Sequence, residues 1–311
     1  MNVCKNETEV FVMVTPKMRT RILSQMANCE VEEYLERNDI IFIPVGVTEM
    51  HGALPMDCEY VMAEAYARLF AEKVDGLVLS DLLYFPAGGT VNGRGTMYMS
   101  MQDAVNYLKA IARTLLAQGF RRQIYIPGHG MMHMFIPAMI SDFLDETKVP
   151  MLFINPSEMF ANYGVTERRF NFMDYEKKRD PNASILGAYK ICGRMDYLPV
   201  SGETNKEGHI QPPGWKMTEF CPWLPDLVKC STTPLGVDWY FLDQINHGSP
   251  ALPTTREELE AVADEGAKEY LENVEKMPMQ RVVDTLRLLD EFIQNEVLPK
   301  HGDHLPKAHW F

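Results

Sequence analysis

Residues 40–46 read IIFIPVG, a run of apolar and mostly β-branched side chains that stops at a glycine. With no polar side to turn to solvent, such a run is expected as a strand in the interior of a sheet covered on both faces. The same rhythm continues downstream. Residues 59–73 have the composition of a helix, and 77–83 (LVLSDLL) form a second apolar run. Residues 101–118 place Val105, Leu108, Ile111, Leu115 and Leu116 at helical spacing and stop at Gly119. Residues 122–127 (RQIYIP) read as a strand, 131–146 as a helix and 150–154 (MLFIN) as a further strand. Strand and helix in strict alternation predict an α/β fold, a three-layer α/β/α arrangement around a mostly parallel sheet. Sheets of this kind take their ligands outside the carboxyl ends of the strands.

Residues 160–250 break the pattern. They are rich in glycine, proline and aromatics, including Pro212, Pro213, Trp215, Pro222, Trp223 and Pro225. They are read as loops and short elements, serving equally well as pocket walls or as plain surface connections. Beyond them Thr254, Thr255 and Glu258 form a capping-box signature ahead of a helix over 256–275, followed by a second helix over 280–297. No linker forces a division, so the 311 residues are expected to form one domain, with its core in 30–155 and 235–298.

The formal net charge of −13 argues against nucleic acid as a partner, because an acidic surface repels phosphate backbones. The six cysteines include no C-x-x-C pair, so they are read as reduced thiols of a cytoplasmic protein. No stretch has the length and apolarity of a membrane span, and the first residues, MNVCKNETEVFVMV, do not read as a signal peptide. There is no G-x-S-x-G elbow and no phosphate-binding loop, which leaves serine hydrolases and P-loop enzymes without support.

Two constellations carry chemistry. The first is Glu49-Met50-His51-Gly52, just past the strand 40–46. In extended chain, residues two apart project to the same side, so a carboxylate and an imidazole would face one divalent ion or a pair of them. Gly52 would let the chain turn sharply beside them. Glu59 follows at the expected start of a helix, with Asp57 as its neighbour and competitor. The second is Gly128-His129-Gly130, at the next place where a strand hands over to a helix, with His133 one helical turn further on. The flanking glycines would leave room for a metal or substrate to approach the backbone. Tyr84, Tyr98, Trp215 and Trp223 are pocket candidates for which ordinary packing is the plainer role.

These blocks resemble the creatininase (creatinine amidohydrolase) family. Residues 39–66, DIIFIPVGVTEMHGALPMDCEYVMAEAY, are similar to the family's strand followed by P-V-G-S-x-E-Q-H-G, L-P and a metal-binding Asp; residues 118–130, QGFRRQIYIPGHG, are similar to G-F-x-x-I-x-x-x-N-G-H-G; Gly95-Thr96 matches a G-T between them. The resemblance implies two divalent metal ions, Zn²⁺ or else Mn²⁺ or Fe²⁺. Glu49 and His51 would each bind a different ion, Glu59 would bridge them, and His129 would complete the first site. It implies a further carboxylate downstream, for which Asp180 is the first candidate and Glu203 the second. It also implies hydrolysis by a metal-activated water, with His133 or His209 protonating the leaving atom, and a homo-oligomer, hexamers among the possibilities.

The sequence departs from the family at Glu59, where Asp is usual, in the segment Gly130-Met131-Met132, and in the missing downstream H-A-G-E-x-E-T-S stretch. The primary expectation is a small-molecule amidohydrolase cleaving a C–N bond in a small cyclic amide. The alternative is a ring-opening C–C hydrolase of an oxidised inositol or keto-sugar, and a third reading is a relative that binds or assembles without catalysis.

Overall fold

The computed structural model describes residues 17–88, 94–166, 182–203, 222 and 251–305. Helix α1 (Asn28–Leu35) leads into strand β1 (Ile40–Val45), whose six residues are all buried. The chain then runs through α2 (Cys58–Lys73), β2 (Leu77–Val78), α3 (Met101–Ala117), β3 (Arg122–Pro127), α4 (Met132–Thr147), β4 (Leu152–Phe153) and α5 (Pro156–Asn162). After these come α6 (Ala183–Cys192), α7 (Arg256–Glu275) and α8 (Met279–Phe292), the last continued by a π-helical stretch, Ile293–Val297.

The four strands are all parallel and lie in the order β2-β1-β3-β4. β1 and β3 pair along their whole length, from Ile40 opposite Arg122 to Val45 opposite Pro127. Because β1 is central, alternate side chains go to opposite faces and both faces are dry. Ile40 and Phe42, with Ile124 and Ile126 of β3, pack against α2, α6, α7 and α8; Ile41, Ile43 and Val45, with Tyr125, pack against α3 and α4. Each such side chain removed from water contributes roughly 1.5–3 kcal/mol. The three-layer α/β/α expectation holds.

The sheet order places the functional region. From β1 the chain leaves through α2 on one face and reaches β2; from β3 it leaves through α4 on the other face and reaches β4. The two neighbouring strands thus send their exits to opposite sides of the sheet. This is the switch point at which doubly wound sheets hold ligands.

One expectation needs correction. The second strand does not run over 77–83. Leu79 still donates to the Phe42 carbonyl, and Leu82 bridges Val45, but Asp81 adopts a left-handed backbone (φ 70°) that breaks the ladder between them. Within 160–250, read as loops and short elements, lies α6, which is buried at Ala183, Leu186, Gly187, Ala188, Tyr189 and Cys192. A short helix buried on most sides has no polar stripe to announce its period.

α6 crosses α7 at two glycines. A β-carbon on Gly266 would lie 1.8 Å from the Ala183 carbonyl oxygen, and one on Gly187 would lie 2.4 Å from the Ala267 nitrogen. The backbones themselves are in contact, which only a pair of glycines allows. The capping box expected at α7 is present: Thr255 Oγ1 accepts from the Glu258 amide (3.1 Å), and Glu258 accepts from the Thr255 amide (3.3 Å). No helix of the described residues is long and apolar enough to cross a membrane.

Candidate metal centre at the ends of β1 and β3

Beyond Val45 the chain does not stray. The Gly46 amide donates to Leu82 O (2.9 Å) and the Gly128 amide to Val45 O (2.7 Å), so both strand ends are tied together. The segment carrying Glu49 and His51 is pinned from two sides. Glu49 donates its amide to Met56 O and Met97 donates to Thr48 O, both at 2.9 Å; the Met50 amide is held by the Thr96 hydroxyl at 3.1 Å. The Gly95-Thr96 pair noted in the sequence therefore braces the peptide between two candidate ligands, a role the sequence alone does not reveal. Gly52 takes a left-handed conformation (φ 61°) and turns the chain, as expected.

Glu59 stands in the first turn of α2. That turn sits close over both strand ends: a β-carbon on Gly46 would be 2.6 Å from Tyr60 Cα, and one on Gly128 would be 2.7 Å from Glu59 O. Gly128 thus makes room for a helix rather than for a ligand. Gly130 has nothing within 4 Å of where a β-carbon would be, among the described residues, so it does border open space.

The result is a cluster of acids and imidazoles. Ligand atoms of Glu49, Glu59 and His129 all lie within 4.8 Å of one another. His129 Nε2 is 3.5 Å from Glu49 Oε2 and 3.6 Å from Glu59 Oε2. His51 Nε2 is 3.7 Å from Glu59 Oε1 and 3.9 Å from Glu49 Oε2. Glu59 therefore offers one oxygen to each histidine, the disposition of a bridging carboxylate. Glu49 is 1% exposed.

Two carboxylates this close repel each other, and a divalent cation between them would offset that repulsion. The donor set of carboxylate oxygens and imidazole nitrogens suits Zn²⁺, Mn²⁺ or Fe²⁺. His51 Nδ1 lies 3.3 Å from Glu49 O, so a proton there leaves Nε2 facing the carboxylates. Burial opposes charge on this ring, but the Cys58 thiol and Glu59 beside it shift its pKa upwards overall. Burial pushes the Cys58 thiol up, and His51 beside it works against that shift. His129 differs: its Nδ1 accepts the Met131 amide (3.1 Å), so in the neutral ring the proton sits on Nε2, between the two acids. A divalent cation held by the cluster would displace that proton.

The other candidates fall elsewhere. Asp57 turns away from the cluster: its carboxylate accepts the Tyr189 hydroxyl and lies 3.5 Å from Arg194 Nη1. Glu203 is exposed, accepts the Val200 amide (3.0 Å) and pairs with Arg256 (2.8 Å). His133 sits in the first turn of α4, its Nε2 3.4 Å from Asn155 Nδ2 and its ring edge-on to Phe153. Burial lowers its pKa; Glu158 works against that shift and His129 adds to it. His133 is thus neutral at pH 7. Asp180, His209, Trp215 and Trp223 lie outside the described residues.

Comparison with known proteins agrees with this picture. The family model for creatininase, creatinine amidohydrolase, matches residues 24–185, just over half of the chain. A curated relative, the 3-dehydro-scyllo-inosose hydrolase of Thermotoga maritima, is 30% identical over 128 residues; the match spans 40% of this chain and 41% of that protein. A crystal structure of creatinine amidohydrolase (creatininase) superimposes with a TM-score of 0.56 at 19% identity, covering 87% of this chain and 98% of that one. Two further structures of creatininase, a Mn form and a mutant of Zn-Zn type, give TM-scores of 0.53 and 0.54 at 17% and 18% identity, each covering 87% of this chain and 98% of theirs. At such identities the structures speak for the fold, and the family model speaks for descent: the chain belongs to the creatininase family.

Proposed function

We propose that this chain is a metal-dependent hydrolase that opens the ring of a small polyhydroxylated cyclic ketone, an oxidised inositol or keto-sugar, by adding water to a carbonyl. The observation that carries the metal-dependent part is Glu59, with one oxygen toward His51 and the other toward His129, and Glu49 buried beside it. Glu49, His51, Glu59 and His129 would hold the ions. Divalent metal in such a setting lowers the pKa of water towards neutrality and draws electron density from a carbonyl oxygen.

The protein's own groups supply the rest. The two strand ends and the first turn of α2 fix the carboxylates before substrate arrives, so little reorganisation is left for the reaction. The space beside Gly130, next to His129, would leave room for a ring-shaped substrate. His133, one helical turn beyond His129, would take a proton from water or pass one on.

The choice of substrate follows the curated relative named as an inosose hydrolase, in preference to the cyclic amide suggested by the family's name. Water adding to a ketone breaks the adjacent C–C bond only when the departing carbon holds the electron pair as a stabilised carbanion. The substrate expected is therefore a ring with a second carbonyl in the β position. One carbon ends as a carboxylate and the other takes a proton. The test is to load the protein with Mn²⁺ or Zn²⁺ and follow mono- and diketo-inositols, creatinine and cyclic ureides by NMR. Ring opening confined to the diketones is the expected result. Turnover of creatinine or a ureide, with none of the keto-inositols, overturns this reading in favour of amide hydrolysis.

A further inference from the structure

We infer that Tyr189 and Arg194 are positioning residues for Glu59: they grip Asp57, at the start of α2, and so set where the bridging carboxylate stands. The inference rests on the reading of Glu59 as a metal ligand.

Asp57 occupies the N-cap position of α2 but makes no capping hydrogen bond with its side chain. An aspartate there would ordinarily turn back to accept the amides of its own first turn. Here the carboxylate reaches out of the helix, one oxygen accepting the Tyr189 hydroxyl and the other facing Arg194 Nη1 at 3.5 Å. Arg194 has a second hold on the same helix. Its Nη2 lies 2.8 Å from Oε2 of Glu64, a fully buried carboxylate whose other oxygen is bonded by Arg68 Nε at 2.9 Å. Positions 57 and 64 are about two helical turns apart. The guanidinium thus straddles the stretch of α2 that contains Glu59.

The opposite side of that stretch is fixed by contact. Tyr60 and the Glu59 carbonyl lie against Gly46 and Gly128, and the Tyr60 hydroxyl accepts the Asp81 amide. The first turn of α2 is therefore held between the strand ends on one side and α6 on the other. Tyr189 has no freedom to release it. Its side chain is fully buried, and the α6–α7 crossing at Gly187 and Gly266 leaves no slack behind it. A buried hydroxyl without its acceptor is costly, which makes the grip specific to Asp57.

A purely structural lock would stabilise the fold without affecting how tightly the cluster holds an ion. Titrating the full-length, chelator-stripped protein with Mn²⁺ by calorimetry, alongside urea unfolding of the stripped form, separates the two. Tyr189→Phe is expected to raise the Mn²⁺ Kd by roughly tenfold, the usual effect of losing a group that orients a ligand. Asp57→Asn, which keeps the shape and removes the charge, is expected to act in the same direction and serves if Tyr189→Phe folds poorly. Thr255→Ala, which removes the α7 cap far from the cluster, is expected to lower stability and leave the Kd unchanged. A wild-type Kd in both Tyr189→Phe and Asp57→Asn overturns the inference alone. Wild-type protein that binds neither Mn²⁺ nor Zn²⁺ overturns the metal reading and this inference with it.

Discussion

A β-carbon on Gly128 would lie 2.7 Å from the carbonyl oxygen of Glu59, so the residue before His129 and the backbone at the head of α2 occupy adjoining space. One methyl group there has to push α2 away from β3. Gly128→Ala is expected to cost about 1–3 kcal/mol of stability, the range for overpacking a filled site. It is also expected to weaken Mn²⁺ binding, because Glu59 moves with the helix. Urea unfolding and metal titration of the one variant check both; unaltered metal affinity would mean that α2 yields without carrying Glu59 along.

Glu49→Gln should separate stability from function. The carboxylate is buried and shares its surroundings with Glu59, so removing one charge relieves the repulsion between the two acids. In chelator the variant is expected to be more stable than wild type by about 1 kcal/mol, as substitutions at functional sites often are. Its metal affinity is expected to fall, and with it the upward shift in melting temperature that wild type shows on adding metal. Equal metal-induced shifts in the two proteins would take Glu49 out of the ligand set.

Gly266→Ala tests the helix crossing. Alanine is normally favoured over glycine within a helix by about 1 kcal/mol. Here the added carbon would be 1.8 Å from the Ala183 carbonyl oxygen, backbone against backbone, with no flexible side chain to give way. The clash is expected to outweigh the propensity gain and leave a net loss of about 2 kcal/mol or more. Denaturant unfolding reads the sign directly, and a stabilised variant would show that α6 and α7 can separate freely.

The environment of His133 makes stability depend on pH. Burial holds the folded imidazole below its ordinary value of 6.5, so between the two pKa values the unfolded chain binds the extra proton. The stabilisation this produces is complete above about pH 6.5 and is lost as pH falls through the folded value. With metal removed, the unfolding free energy of wild type is expected to drop more steeply than that of His133→Asn between about pH 7 and about pH 5. Parallel curves would show that the ring is as easily protonated in the fold as outside it.

The central elements were legible because their signals are local. The apolar run 40–46 became β1, Ile40–Val45, and 122–127 became β3, Arg122–Pro127; the helices over 101–118 and 256–275 are α3 and α7. Asp81 was not legible, since nothing in LVLSDLL marks where a run of strand formers turns left-handed. At the cluster, the spacing of Glu49 and His51 pointed to a shared face, and the structure brings His129 and Glu59 to them. The sequence left Asp57 and Glu59 as rivals because both stand at the head of one helix. What separates them is Tyr189, more than a hundred residues downstream in a stretch whose composition suggested loop. Pairings at that range follow from packing and leave no periodicity to read.

The residues that brace the cluster lie partly outside the stretch by which the family is recognised. The model match ends at residue 185, whereas Gly187, Tyr189, Arg194 and Gly266 come after it. Grafting residues 24–185 onto another scaffold would carry over the ligating side chains and leave their support behind. A transplant that keeps the geometry around Glu59 is therefore expected to need α6 and α7 as well.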